Sequence, residues 1–411
     1  MGVLPGAGNF RAFKVGYTSC KMTILFSVAS RQRVIIVGGG VLGTMHAVAA
    51  RRRGYEVVHL ERESEARGAS VRNFGLVWVS GRRAGAELAL ALRARELWAE
   101  LGAEVPGLRF WPAGSLTLAT EDAELRVLKE AVALPDAVQR DFELLDPGGV
   151  RTVNPALRGE LAGGLLCRAD AIVEPRLVLP ALRGYLSATA GEARSGRHSG
   201  YEWLPGREVT EIAPNAVRDH TGVWHQCDLI VLCPGATFTG VIGRYRDYLA
   251  RDGVRRVRLQ MMQTAPMSER LTTAVADGDS LRYYPAYDLP GRSQLPPQTP
   301  VAARTRAQLL MVQRADGGLT IGDTHEYDEP FTFDVDSDAY DHLQARAEAL
   351  LGGPIPRIQR RWAGIYSEVA PSAASHVLYH RSEPEPGVVL VTGPGGRGMT
   401  CSPAIAEETF R

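Results

Sequence analysis

The sequence predicts a mixed fold, in which an α/β domain with a parallel sheet is interleaved with an α+β domain that has an antiparallel sheet. Apolar runs typical of buried parallel strands lie far apart in the chain, at residues 34–37, 228–232 and 388–392. Segments typical of antiparallel strands lie between them in the sequence. This order is explained if one domain is built from three separated segments and a second sheet is inserted into it.

The first apolar run opens the most informative motif. It leads directly into Gly38-x-Gly40-x-x-Gly43, and a helical segment at residues 44–53 follows. In such a strand–turn–helix unit the first glycine permits the tight turn, the second lets the backbone approach a pyrophosphate, and the third lets helix and strand pack closely. The N–H groups at the start of the helix are available to phosphates.

The second strand of this unit, at residues 57–60, ends in an acid, Glu61. At this position a carboxylate accepts hydrogen bonds from ribose hydroxyls. The motif therefore predicts a Rossmann-like dinucleotide-binding unit, to which Val41, Leu42 and Arg62 also belong. The alternative is a glycine-rich turn in an ordinary α/β protein, and the complete order of strand, glycines, helix, strand and acid disfavours it.

The composition excludes several classes of protein. The formal net charge of +1 offers no overall field for nucleic acid or an anionic membrane. No apolar run approaches the about 18–20 residues of a transmembrane helix. The cysteines are odd in number and lack C-x-x-C spacing, which favours reduced thiols in a cytoplasmic protein over zinc or disulfides. They are Cys20, Cys167, Cys227, Cys233 and Cys401.

Residues 1–31 are predicted to be an extension without a role in the fold. The apolar part, residues 22–29, is short for a secretory signal. Met22 is the preferred start of the protein, and a poor targeting peptide is the alternative.

The rest of the chain is assigned by hydrophobic periodicity. Helices are predicted at residues 84–101, 121–132, 176–190 and 336–351, and from about Ser402 onward. Further strands are predicted at residues 114–119, 164–173, 207–212, 216–219, 254–265, 281–287, 307–314 and 318–323. Loops or connections are predicted at residues 68–75, 146–160, 191–206 and 291–300.

Three segments together resemble the superfamily of FAD-dependent amine oxidoreductases that includes D-amino acid oxidase, glycine oxidase and sarcosine oxidase. They are the glycine motif ending at Glu61, the middle segment 228–235, and the C-terminal segment 393–403. The resemblance implies that FAD is the cofactor. It implies an FAD-binding domain at 32–105, 165–250 and 357–411, and a substrate-binding domain at 106–164 and 251–356. The implied cofactor residues are Gly38, Gly40, Val41, Leu42, Gly43, Glu61, Arg62, Ser70, Asn73, Gly235, Gly395, Gly396, Gly398, Met399 and Thr400.

Within the superfamily, the chain is most similar to a branch proposed to oxidise aminophosphonates. Residues 70–75, 259–266 and 321–326 carry this narrower resemblance. One departure concerns the C-terminal segment, where sarcosine oxidase relatives have a basic residue after the last glycine pair. Here Met399 and Thr400 stand there, and Arg397 comes before them.

The resemblance implies hydride transfer from a substrate amine to flavin N5, which requires orientation and exclusion of water from the protein. An acidic substrate also needs a cation, for which arginine is well suited. Arg72 is predicted to contact substrate or flavin, with an FAD-phosphate or backbone contact as the alternative. Arg397 is predicted to stabilise reduced flavin or to anchor substrate, with a surface arginine as the alternative.

Other residues are candidates for the substrate pocket. His325 follows a strand of the inserted sheet and can accept the amine proton, although a structural histidine is the commoner case. Tyr366 is predicted to hydrogen-bond substrate, whereas Trp362 is assigned to the core. Ser70 is expected to contact the pyrophosphate or to cap the next element, and Asn73 to meet the flavin edge. Pocket lining and packing remain equal alternatives for Tyr283, Tyr284 and Tyr287.

The predicted function is oxidation of a small acidic primary or secondary amine to an imine. The imine is then hydrolysed by water, and oxygen reoxidises the flavin and yields hydrogen peroxide. Candidate substrates are N-methyl-2-aminoethylphosphonate, glycine and sarcosine. The alternatives are a dehydrogenase of the same fold that passes electrons to a quinone or carrier protein, and a non-catalytic FAD-binding subunit of a complex. No metal, nucleic acid or membrane span is expected.

Overall fold

The computed structural model describes residues 32–190, 200–371 and 377–411. The predicted extension at 1–31, with Cys20 and Met22, lies outside these described residues. The strands in chain order are β1 (Arg33–Val37), β2 (Glu56–Glu61), β3 (Leu76–Val77), β4 (Ser115–Ala119), β5 (Phe142–Leu145), β6 (Gly163–Cys167), β7 (Ala171–Ile172), β8 (Tyr201–Pro205), β9 (Val209–Ala213), β10 (Ala216–Asp219), β11 (Trp224–Gln226), β12 (Leu229–Leu232), β13 (Val254–Pro266), β14 (Ala274–Ala276), β15 (Leu310–Gln313), β16 (Gly318–Gly322), β17 (Ile358–Val369), β18 (His380–Glu385) and β19 (Val388–Thr392). The helices are α1 (Val41–Arg52), α2 (Ala86–Glu104), α3 (Asp122–Val132), α4 (Pro147–Val153), α5 (Pro175–Ala190), α6 (Arg246–Arg251), α7 (Ser280–Tyr283), α8 (Pro300–Thr305), α9 (Ser337–Leu351) and α10 (Gly398–Thr409).

A parallel sheet has the strand order β18-β19-β12-β1-β2-β8. β1 pairs in parallel with both β2 and β12, and β12 pairs in parallel with β19. Only the edge strand β18 of this sheet runs antiparallel to its neighbour, within the described residues. Strands from the beginning, middle and end of the chain therefore lie side by side, which confirms the predicted mixed fold with a Rossmann-like domain.

The two faces of this sheet are both covered. Val34 and Ile36 of β1 pack into a core with α1, α2, α5 and α10. Ile35, whose side chain alternates to the opposite face, packs with residues of β9 and β10 and of the segment before α6. Burial on both faces explains why β1 is a continuous apolar run without alternation.

A second, mainly antiparallel sheet has the order β17-β13-β16-β15-β14-β4-β6-β5. Its longest pairing joins β13 to β17, from Val254↔Val369 to Thr264↔Ile358. One face packs against α9, through Tyr340 and its neighbours, and the other face packs with α3 and with aromatic residues near α7. This second face also carries the side chains that line the cavity described below.

Two of the predicted elements are wrong. Residues 281–287 are not a strand but the end of α7 followed by a 3-10 turn, Pro285–Tyr287. The tyrosines favour a strand locally, but Pro285 has no N–H for a ladder and fixes φ for the turn. The predicted connection 146–160 contains α4, which begins where the Asp146 side chain accepts a hydrogen bond of 2.7 Å from Gly149 N.

Two further boundaries need correction. The predicted loop 191–206 includes β8, which pairs in parallel with β2 and extends the sheet by one edge strand. The last helix begins at Gly398 instead of Ser402, because the 3-10 turn Gly395–Arg397 leads straight into it. The domain boundaries given above remain predictions.

Candidate functional site

A cavity of ≈ 1390 Å³ lies where the carboxyl ends of the parallel strands meet the second sheet. One wall comes from the glycine loop after β1, from the segment after β2 and from the turn after β12. Residues of β13 and β17 and the segment after β16 line another part. The turn between β19 and α10 closes the wall. The cavity therefore joins the predicted nucleotide site and the predicted substrate side chains in one space.

The glycine loop has the close approaches that the motif predicts. Gly38 has φ +111°, and a Cβ there would lie 2.3 Å from the Cys233 carbonyl oxygen. A Cβ on Gly43 would lie 1.8 Å from the Gly38 oxygen, so Gly43 serves helix packing and does not line the cavity. Gly40 lines the cavity directly before α1, and Val41 N donates a 2.9 Å hydrogen bond to Ser70 Oγ. Backbone and hydroxyl thus form a cradle without a side chain at Gly40, which fits a pyrophosphate.

Glu61 stands at the end of β2 and lines the same part of the cavity, as do Val41, Leu42 and Arg62. Its Oε2 accepts a 2.6 Å hydrogen bond from Gly39 N, and its Oε1 accepts one of 3.0 Å from Glu63 N. The carboxylate is therefore held against the glycine loop, beside the place where the motif puts a ribose. These features fit the adenosine end of a dinucleotide.

A buried histidine supports this loop from behind. His59 Nε2 donates to the Gly38 carbonyl at 2.9 Å, and His59 Nδ1 then accepts from the Tyr201 hydroxyl at 3.1 Å. Burial lowers the pKa of His59 to about 3. The side chain is therefore neutral over the ordinary pH range, with its one ring proton on Nε2.

The glycine turn before α10 lines the other end of the cavity with Gly395, Gly396, Gly398 and Met399. Thr400 does not line it. Its Oγ1 accepts a 2.9 Å hydrogen bond from Trp78 N and donates to the Leu76 carbonyl at 3.2 Å. From α2, Trp98 Nε1 donates to the Met399 and Thr400 carbonyls at 3.0 and 3.1 Å. These bonds fix the start of α10 to β3 and α2.

Gly235 follows β12 and has φ +59°, a conformation that favours glycine. It lines the cavity, and its carbonyl accepts hydrogen bonds from Ser367 Oγ at 2.9 Å and Thr392 Oγ1 at 2.7 Å. These bonds join the turn after β12 to β17 and β19, so the middle and C-terminal segments meet where the resemblance predicts the flavin.

Arg397 lines the cavity, but its charge is already paired. Nε donates to Glu87 Oε1 at 2.7 Å, and Nη1 donates to the Pro394 carbonyl at 3.0 Å. Burial acts to raise the pKa of Glu87, but the charges of Arg397 and Arg82 outweigh it and lower that pKa. The geometry places Arg397 in a partly buried ion network that holds the glycine turn on α2.

Arg72 lines the cavity and has an exposed guanidinium. Its Nη1 donates to the Ala363 carbonyl at 2.7 Å, and no carboxylate lies within ion-pair distance of it among the described residues. The neighbouring Asn73 is differently placed. Its Nδ2 donates to the Ala69 and Ser70 carbonyls, and its Oδ1 accepts from Gly75 N, so the amide shapes the loop that carries Arg72.

His325 and Tyr366 both lie in the wall formed by the second sheet. The His325 ring stacks on Tyr283, with 4.2 Å between ring centroids and 28° between planes. His325 Nδ1 donates to the Arg306 carbonyl at 3.1 Å, which leaves Nε2 as the unprotonated nitrogen of the neutral ring. The Tyr366 hydroxyl is buried without a hydrogen-bond partner in the described ranges. Burial, and then Tyr283, raise the pKa of Tyr366 well above its usual value.

Sequence reasoning missed a buried carboxyl beside this histidine. Asp323 Oδ2 lies 3.9 Å from His325 Nε2, and Gln308 Nε2 donates to Asp323 Oδ1 at 3.3 Å. Burial raises the pKa of Asp323, and the neighbouring His325 partly offsets this. A signal for it exists in the sequence, since Asp323 directly follows β16 and stands two residues before His325. Arg82 and Gln308 were also missed, because they reach the cavity only through the fold.

The remaining tyrosines divide between pocket and core. Tyr283 and Tyr284 line the cavity, whereas Tyr287 is buried in the core with its hydroxyl 3.3 Å from Thr117 Oγ1. Trp362 packs at the margin of the same core. In the part of the chain that the structure describes, no group of His, Cys, Asp and Glu side chains has the arrangement of a metal site. Nor is any described helix long and apolar enough to cross a membrane.

Comparisons with known proteins extend these observations. A family model described as FAD dependent oxidoreductase (DAO) matches residues 33–411. The search of curated protein sequences found no match. Among solved structures, glycine oxidase from Bacillus cereus ATCC 14579 is similar with a TM-score of 0.69 and 19% identity, over 92% of this chain and 93% of that one. L-proline dehydrogenase from P. horikoshii is similar with a TM-score of 0.70 and 18% identity, over 92% of this chain and 91% of that one. Iminodiacetate oxidase (IdaA) from Chelativorans sp. BNC1 is similar with a TM-score of 0.66 and 19% identity, over 92% of this chain and 93% of that one.

Proposed function

We propose a substrate class and a set of site residues for this chain, which belongs to the family of FAD-dependent oxidoreductases. The proposed substrate is a small acidic primary or secondary amine. The observation that carries this proposal is the pairing of buried Asp323 with His325 in the same cavity as Arg72, whose cation has no carboxylate partner among the described residues. A substrate with a basic nitrogen and an acidic group matches both.

FAD, when bound, supplies a hydride acceptor at flavin N5. The residues proposed to hold its adenosine and pyrophosphate are Gly38, Gly40, Val41, Leu42, Glu61, Arg62 and Ser70. Those proposed near the flavin are Gly235, Gly395, Gly396, Gly398 and Met399. Gly43, Asn73 and Thr400 contribute by fixing the helix, loop and turn that carry these groups. The absence of side chains at the glycines supports close approach of the cofactor to the backbone.

Asp323 and His325 are proposed to receive the substrate nitrogen. A carboxylate buried beside the cavity attracts an ammonium group strongly, because little water screens the pair. His325 Nε2 is the ring nitrogen that faces Asp323, so it can take the proton that the amine must lose before oxidation. The imidazolium formed in this way would be stabilised by the Asp323 carboxylate.

The other groups orient the substrate and exclude water. Arg72 is proposed to bind the acidic group through its planar guanidinium. The Tyr366 hydroxyl, buried without a partner in the described residues, is proposed to hydrogen-bond the substrate. Tyr283 stacks on His325 and keeps its ring in place. Arg397 is proposed to act through its positive charge near the flavin and not as a free substrate anchor, because Glu87 already pairs with it.

The reaction proposed is oxidation of the amine to an imine, which water hydrolyses to an aldehyde or keto acid. Reoxidation by oxygen would give hydrogen peroxide. The narrower substrate proposed is an aminophosphonate such as N-methyl-2-aminoethylphosphonate, with glycine and sarcosine as alternatives. A dehydrogenase that reduces a quinone or carrier protein is the alternative enzyme, and a non-catalytic FAD-binding subunit is the alternative without catalysis. A cytoplasmic location is also proposed, consistent with the free thiols of the described cysteines.

Anaerobic reduction of the bound flavin tests the proposal. N-methyl-2-aminoethylphosphonate, glycine and sarcosine are added separately to the purified yellow protein, and loss of the visible flavin absorbance is followed. We expect at least one acidic amine to bleach the flavin, while neutral amines of similar size act more slowly. Failure of all three acidic amines would contradict the proposed substrate class. Parallel turnover with oxygen and with an artificial dye then separates oxidase from dehydrogenase.

A further inference from the structure

A second and smaller recess, of ≈ 390 Å³, borders the loop that carries Arg72 but is separate from the main cavity. Its wall contains Arg109, Arg176, Arg314 and Arg360, against two carboxylates, Glu174 and Asp316. The cations are thus in excess.

Both carboxylates are already engaged by backbone N–H groups. Glu174 Oε1 accepts a 2.9 Å hydrogen bond from Ala315 N, and Asp316 Oδ1 accepts one of 2.9 Å from Gly318 N. Arg314 is engaged as well, since its guanidinium donates to the Phe74 and Val173 carbonyls and lies 3.7 Å from Glu174. Both acids are therefore held in place by the protein, and their two negative charges remain fewer than the four positive charges of the recess.

These other arginines have no carboxylate within ion-pair distance in the described ranges. Arg109 is exposed, makes no hydrogen bond there, and has φ +57°, a backbone conformation that arginine rarely adopts. Arg360 Nη1 donates only to the Gln263 side chain, at 3.3 Å. Arg176 lies with its Cζ 5.4 Å above the Trp362 ring, and its Nε donates to the Val71 carbonyl at 3.4 Å.

The positive charges also act on one another. Burial lowers the pKa of Arg176, the charges of Arg360 and Arg72 lower it further, and the charge of Asp316 only partly offsets these effects. Arg176 belongs to the first turn of α5, a helix of 16 residues, whose N-terminus adds partial positive charge to the same place. A bound anion would relieve repulsion of this kind.

We propose that this recess binds a small multivalent oxyanion, of the phosphate or phosphonate class, through Arg109, Arg176 and Arg360. Planar guanidinium groups match the paired oxygens of such anions, and three of them around one recess can neutralise a double charge. The recess shares Asn73 with the main cavity, so the anion would sit against the loop that presents Arg72. The site is independent of the proposed amine chemistry.

Calorimetric titration of the FAD-loaded protein with inorganic phosphate at low ionic strength tests this site. Saturable binding is expected in the unchanged protein, and Arg109→Asn and Arg360→Gln should each raise the Kd about tenfold or more, since each removes a charged hydrogen-bond donor. Asparagine tolerates positive φ, so Arg109→Asn removes the charge without new strain. Arg109→Lys should retain part of the affinity, because it keeps the charge but loses the planar pair of donors. Arg246→Gln, at an exposed position of α6 outside the recess, is the matched control and should bind as the unchanged protein does.

Absence of phosphate binding in the unchanged protein would overturn the proposal. So would unchanged Kd values in both recess variants when their flavin content and unfolding temperature are normal, or loss of binding in Arg72→Gln alone, which would place the anion in the main cavity. Repeating the titration with N-methyl-2-aminoethylphosphonate present identifies the source of the anion. If the phosphonate lowers the heat of phosphate binding, and this effect disappears in Arg360→Gln, an organic phosphonate occupies the recess. If the heat of phosphate binding does not change, the recess prefers inorganic phosphate.

Discussion

Arg397 Nε donates a 2.7 Å hydrogen bond to Glu87 Oε1, and Arg82 Nη1 lies 3.8 Å from the same oxygen. One carboxylate therefore lies close to two cations beside the glycine turn that precedes α10. The relationship explains why an arginine that the sequence offers as a substrate anchor is engaged inside the protein, and it makes Glu87 a structural centre of this end of the cavity.

Removing the Glu87 carboxylate should destabilise the protein strongly. Glu87→Gln leaves two largely buried arginines without their counterion, and we expect the free energy of unfolding to fall by about 3–5 kcal/mol. Arg397→Met in the Glu87→Gln background should cost less than it does alone, with a coupling of about 0.5–3 kcal/mol. Urea unfolding of the two single variants and the double variant measures this, and strictly additive losses would show that the pair is not coupled.

Substitution of Gly43 should break the cofactor cradle. A Cβ at Gly43 would lie 1.8 Å from the Gly38 oxygen, so Gly43→Ala must move α1 or the loop. We expect a loss of stability of about 1–3 kcal/mol and a much lower content of bound flavin. Gly184→Ala is the control, because Gly184 lies in α5 with no atom within 4 Å of the added Cβ, and it should be neutral or stabilising. The ratio of flavin to protein absorbance reports the difference.

Arg72 should matter for acidic substrates more than for neutral ones. If its guanidinium binds the acidic group, Arg72→Met should lower kcat/KM for an acidic amine by about 10- to 100-fold, the effect of losing a charged hydrogen bond. For a neutral amine of the same length the change should be small. Arg72→Lys should recover part of the loss. Equal losses for both amines would instead indicate that Arg72 acts on the loop or the flavin.

Asp323 should create an acidic limb in the pH profile. Burial raises its pKa, so the carboxyl becomes protonated at a pH above the ordinary value for aspartate and then no longer attracts the substrate nitrogen. We expect kcat/KM to fall as the pH drops through this raised pKa. Asp323→Asn should be at least about 10-fold less active at neutral pH and should lack this limb. Asp334→Asn, a change at an exposed carboxyl outside the cavity, should keep the original profile.

Two buried histidines should make the fold sensitive to acid. Burial lowers the pKa of His46 to about 4 and that of His59 to about 3, so the unfolded chain binds more protons than the folded one below the ordinary value of 6.5. The stability contributed by these neutral histidines is therefore fully present above pH 6.5. It is lost as the pH falls from 6.5 to about 4 for His46 and to about 3 for His59, by up to a few kcal/mol for each. Chemical unfolding at several pH values measures how steeply the free energy of unfolding changes with pH. His59→Gln should flatten this dependence, whereas His220→Gln on the surface should leave it unchanged.

The unit from β1 to Glu61 could be predicted because every signal lies within one local segment. Strand, glycines, helix and acid each constrain the next, and the structure places them as the motif requires. Gln308 and Arg82 could not be predicted as cavity residues, because their positions depend on the packing of segments that are distant in the sequence. Residues 281–287 were misassigned because tyrosine favours strands, while Pro285 and burial of the segment decided for a helical turn.

The hydrogen bonds of Trp98 to the start of α10, together with the pairing of β19 with β12, have a consequence for biosynthesis. β19 and α10 are synthesised long after the glycine loop that follows β1. The loop therefore leaves the ribosome before the opposite wall of the cavity exists. We expect cofactor binding to require β19 and α10, so a polypeptide truncated before residue 388 should contain no bound flavin.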